Sequence, residues 1–104
     1  MALTREFKQT VQARAERDPA FRAALLEEAI EAFLDADVET GKLLLRDYVN
    51  ATVGFEALAR QLDKNPKSLM RMLSSKGNPR ADGLFAVVAH LRKHESAGDR
   101  GVPV

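Results

Sequence analysis

The chain has no cysteine, which excludes a disulfide framework and a thiolate metal site and fits a reducing compartment. It also has no long hydrophobic run. The longest, Leu84-Phe85-Ala86-Val87-Val88-Ala89, is far short of the roughly 20 apolar residues that a membrane helix needs. The opening Met1-Ala2-Leu3-Thr4-Arg5-Glu6-Phe7-Lys8 is polar and lacks the apolar centre of a signal peptide. These absences predict a soluble, cytoplasmic protein with no membrane partner. Histidine is scarce too. His90 and His94 are four apart and could share a helix face and a metal, but no His-Glu-x-x-His pattern accompanies them. They are read as surface or packing histidines. Gly54 and Gly77 adjoin no Lys-Ser or Lys-Thr pair, so no phosphate-binding loop is present, and Ser68, Ser74 and Ser75 lack the context of a nucleophile. The expectation is no enzyme, no metal and no cofactor.

What remains is a chain of 104 residues, 45% hydrophobic, enough for one compact domain. Its periodicity predicts helices throughout. The first covers about 4–17, with Phe7, Val11 and Ala15 a turn apart. Asp18 caps the second, with Pro19 at its first position. That helix turns Phe21, Leu25, Ala29, Ile30 and Phe33 inward. Glu27, Glu28, Glu31 and Asp35 face out, either simply solvated or meeting a basic partner. Asp37 starts a third helix, whose Leu43, Leu44, Leu45, Tyr48 and Val49 supply core. A last helix over about 82–94 buries Leu84, Phe85, Val87, Val88 and Leu91. From Ser96 onward, Gly98, Gly101 and Pro103 predict a frayed tail. The domain reading is an N-terminal helical extension over 1–37, a helix-turn-helix unit over 38–95 and a tail over 96–104.

The stretch from Gly54 to Pro79 carries the functional signal. Phe55, Leu58, Ala59 and Leu62 form one apolar stripe, which Asp63-Lys64-Asn65 interrupts. Asn65-Pro66 is a start signal, and Leu69, Met72 and Leu73 resume the pattern on one face. Lys67, Ser68, Met70 and Arg71 point away. Gly77-Asn78-Pro79 ends the unit. Two short helices at a tight polar turn, the second with exposed donors, are the outline of a DNA-reading helix-turn-helix over about 66–74. A generic helical bundle gives the same outline, because the geometry is not unique to DNA readers.

At these residues the chain resembles the Cro and phage-repressor class of helix-turn-helix domains, the XRE class, nearest the "probable addiction module antidote" group. The likeness rests on Leu45-Arg46-Asp47, Gly54-Phe55-Glu56-Ala57-Leu58-Ala59, Lys67 to Leu73, Gly77-Asn78-Pro79, and Asp18-Pro19 before an Ala- and Leu-rich helix. It spans roughly 18–92. It implies an all-α, phage-repressor-like domain of about five helices preceded by an N-terminal helix, reading DNA as a homodimer, with a toxin as a possible protein partner. It places base readers at Asn65, Lys67, Ser68 and Arg71. The chain departs from the class in three places. Asp63-Lys64 stands where the turn commonly has Gly, Phe55 where Gln often opens the first motif helix, and a polar stretch follows His94 where the antidote group often has an apolar strand.

The net charge of +1 conceals a division. Residues 53–94 hold eight Lys or Arg against three acids, a balance of +5, whereas residues 1–52 stand at −3 and the remainder at −1. The excess sits on the motif, where phosphate attraction would use it, and nominates Arg60, Lys64, Lys76 and Arg80 as phosphate contacts. The expected function is a sequence-specific DNA-binding transcriptional regulator. The alternative is an antitoxin that neutralises its partner by protein contact and autoregulates its operon. The aliphatic stretches Leu43–Leu45 and Phe85–Val88 serve either as core or as a dimer seam.

Overall fold

The computed structural model describes the backbone of residues 5–100 and the side chains of residues 11–95. Among the described residues six helices follow one another: α1 (Arg5–Arg17), α2 (Pro19–Leu34), α3 (Val38–Ala51), α4 (Phe55–Leu62), α5 (Pro66–Met72) and α6 (Ala81–Arg100). No strand occurs among the described residues, and the fold is all-α as expected. The expected start at Thr4, the side chain of Phe7, and Gly101 and Pro103 of the expected tail lie outside the described residues, whereas Gly98 lies within α6.

The helix starts are encoded locally. Asp18 accepts from the Phe21 N–H at 3.2 Å and Pro19 opens α2. That Phe21 bond, with Arg14 3.5 Å away, holds the Asp18 carboxyl below its usual range. Arg14 also lies over the Phe21 ring, 4.5 Å from its centre, which fixes the corner between α1 and α2. Asp37 caps α3 by accepting from the Thr40 N–H at 3.3 Å. The end of α2 is closed by Ala36 in the left-handed region at φ 67°. Its N–H bonds to Phe33 O at 3.0 Å, and that of Asp37 to Ala32 O at 2.8 Å, a Schellman pair.

One core joins the chain from Leu25 to Leu91. α2 contributes Leu25, Leu26 and Ala29, and α3 contributes Leu45, Tyr48 and Val49. The segments on either side of residue 37 therefore share a single interior. α2 and α3 cross closely at Gly41, where a Cβ would come within 2.6 Å of the Phe33 ring.

The core differs from expectation at two large side chains. Leu43 is 42% exposed and Phe85 is 59% exposed. Each lies in an apolar run wider than one helix face. On α3 the inward stripe is Lys42, Leu45, Tyr48 and Val49, so Leu43 is turned out. On α6 the inward stripe is Leu84, Val87 and Leu91, and Phe85 lies about half a turn round. Two boundaries also move. α5 ends at Met72 rather than Ser74, and α6 continues to Arg100 rather than stopping near His94.

A polar junction ties four helices together. Glu95 of α6 accepts from the Tyr48 hydroxyl of α3 at 2.5 Å and from Arg22 Nε of α2 at 3.1 Å. Arg22 also donates to Ala15 O of α1 at 3.4 Å. The junction borders a cavity of about 360 Å³, further lined by Thr52, Gln61 and His94.

Candidate nucleic-acid interface

α4 and α5 meet at the turn 63–65. The turn works without the glycine common to the resembled class. Asp63 takes the left-handed conformation, φ 57° and ψ 48°, which Asp tolerates better than most side chains. Its N–H bonds to Arg60 O at 3.2 Å, and that of Lys64 to Ala59 O at 2.8 Å, closing α4.

α5 is seven residues long, and its orientation is fixed from three sides. At its start, Asn65 Oδ1 accepts from the Lys67 N–H at 2.9 Å and the Ser68 N–H at 3.2 Å. The expected cap is thus present, and it commits the oxygen of Asn65. Only the amide NH₂ of that side chain is left to donate to a base. Underneath, Leu69 and the following Leu73 are fully buried. At its end, two cations of α3 reach across. Arg46 Nη1 donates to Leu73 O at 2.6 Å, and Lys42 Nζ donates to Gly77 O at 2.9 Å. Positive groups at a helix C-terminus satisfy its last carbonyls and favour its dipole.

Lys42 is 1% exposed and also pairs with the exposed Glu39 at 3.1 Å. An ammonium at this depth is costly unless bonded, and both of these contacts bond it. Gly77 makes the approach possible. A Cβ there would sit 2.0 Å from Arg71 O, so the chain passes too close to α5 for any other residue.

The outer face carries the nominated donors. Asn65, Lys67, Ser68, Met70 and Arg71 are all exposed, and Ser68 and Arg71 lie one turn apart. Arg60, Lys64, Lys76 and Arg80 are exposed as well. Among the described residues no ion pair engages Arg60, Lys64, Lys67, Arg71 or Lys76. Arg80 is the exception, 3.6 Å from Asp82, with both side chains almost wholly in solvent. Such a pair contributes little and yields readily to a phosphate. The donor set suits guanine edges and phosphate oxygens.

Sequence reasoning missed Lys42 and Arg46 as the residues that position α5. The signal was present: a lysine four residues before an arginine, standing on the inward stripe of an apolar helix. His90 Nε2 lies 2.6 Å from Gln61 Oε1, and its ring centre is 4.4 Å from that of His94. Burial, then the neighbouring His94 and Lys93, push the His90 pKa down. Among the described residues no group of three candidate ligands occurs, and no helix is long and apolar enough to cross a membrane. No family model, curated protein or solved structure matches the chain.

Proposed function

We propose that the protein is a sequence-specific DNA-binding regulator that lays α5 in the major groove. The observation that carries this reading is the treatment of α5. A helix too short to hold itself is capped, buried on one side and clamped at its end, while Lys67, Ser68 and Arg71 are left free on the other. In this reading Lys67, Ser68, Arg71 and the amide of Asn65 contact bases. Arg60, Lys64, Lys76 and Arg80 hold phosphates. One α5 covers a half-site, so the regulator acts as a homodimer. The test is fluorescence anisotropy on the DNA upstream of its own gene beside a scrambled duplex, across a salt series. The expected result is tight, salt-dependent binding to the upstream DNA alone, with Arg71→Ala losing about 1–3 kcal/mol and relaxing specificity at one position. Equal, weak binding to both duplexes overturns the proposal.

A protein-binding antitoxin is the second reading, and one observation favours it. Leu34 is 75% exposed beside Glu31 and Asp35, an apolar anchor within an acidic surface. This reading expects a basic protein encoded next to the gene that co-elutes with the chain and is released by Leu34→Glu. A gene with no such neighbour counts against it.

A further inference from the structure

We infer that the outward face of α6 is a two-fold interface between two copies of this chain, paired antiparallel. Phe85 is 59% exposed, the largest aromatic surface left open among the described residues. It does not stand alone. Ala86 and Ala89 are exposed on the same side, at helical steps of one, three and four. This stripe lies about half a turn from Leu84, Val87 and Leu91, which face the core. α6 is therefore apolar on two opposite sides, and the protein's own interior covers one of them. The small alanines allow a second helix to approach closely, leaving Phe85 as the projecting anchor.

The charges at the two ends of the stripe select the occupant and its direction. Asp82 is exposed at the N-terminal end, and Arg92 and Lys93 are exposed at the C-terminal end. A two-fold axis between Val87 and Val88 makes the face complementary to itself. It sets Ala86 against the partner's Ala89 and Asp82 against the partner's Lys93, with Phe85 packing beside the alanine pair. A parallel pair would instead bring Lys93 onto Lys93. Among the described residues of one copy, Asp82 is held only by Arg80 at 3.6 Å and by the Gly83 N–H at 2.8 Å, both in solvent, so it can take a new cation.

The test is sedimentation of the full chain, without DNA, over about 1–500 µM. The expected result is a dimer for the wild type and a monomer for Phe85→Glu, with unchanged helical content by circular dichroism because Phe85 is outside the core. The dimer dissociation constant rises at least about thirtyfold in that variant. Asp82→Lys and Lys93→Asp each weaken the dimer, and the two together restore it. A monomeric wild type, a persisting Phe85→Glu dimer, or a double variant no tighter than the single ones overturns the inference. No DNA enters the measurement, so a dimer that then fails to bind DNA refutes the regulator reading alone.

Discussion

Ala36 holds a backbone conformation that its Cβ disfavours, φ 67° at the close of α2. Glycine carries no such penalty there, and the Schellman bonds depend only on the backbone. Ala36→Gly should therefore stabilise the chain by about 1 kcal/mol, read as a higher urea midpoint at unchanged slope. Asp63→Gly tests the same physics where Asp already tolerates the conformation, and should gain less. Tyr48 supplies a pH prediction. Burial, and then Glu95 beside it, push the phenol pKa far above its ordinary value of about 10. In the unfolded chain the phenol ionises near its ordinary value, while the folded chain keeps the proton. The Tyr48 contribution to folding stability is thus complete below about pH 10 and falls as pH rises beyond it. Urea midpoints from pH 8 to 11 check this, and Tyr48→Phe should flatten the fall.

At the scale of the element, α5 depends on its neighbours. Isolated helices shorter than about 12 residues are marginal in water, and this one has seven. Lys42→Met keeps the buried stem but leaves Gly77 O without its donor, which should cost about 1–3 kcal/mol of stability. If α5 reads DNA, the same change lowers affinity for the specific site more than for scrambled DNA, because Lys42 sets an angle and touches no phosphate. Anisotropy on both duplexes separates the two. Much of this element was legible in the sequence. Asn65-Pro66 announced the cap, the Leu69 and Leu73 spacing announced the buried face, and both stand in the structure. Lys42 was not legible because charge argues against burial, and its carbonyl partner lies 35 residues away. Leu43 and Phe85 were misplaced for a related reason. A continuous apolar run does not state which of its residues face inward when the helix is apolar all round. The Glu95–Tyr48–Arg22 junction escaped because each residue reads as an ordinary surface or core side chain until the helices meet.

Across the whole molecule, Leu69 of α5 and the following Leu73 share one core with residues of α2, α3, α4 and α6. The charge division then sets the salt response. Of the cations nominated for DNA, Arg60, Lys64, Lys67, Arg71 and Lys76 are free of ion pairs among the described residues. Lys42 and Arg46 are engaged with carbonyls and do not count. If these five and Arg80, whose exposed pair with Asp82 yields to a phosphate, all reach phosphates, log K should fall with log salt at a slope no steeper than about −5.4 per chain, and Lys76→Ala should reduce the slope by about 1. A steeper slope would require cations from elsewhere on the protein.

The buried ammonium of Lys42 also makes a clock. An amine-acylating reagent should modify Lys64, Lys67 and Lys76 of the native protein at once and leave Lys42 unmodified. Lys42 can react only during the moments when its bond to Gly77 is broken and the amine has reached water. Its rate of labelling, followed by mass spectrometry, therefore counts how often the segment that follows α5 lets go.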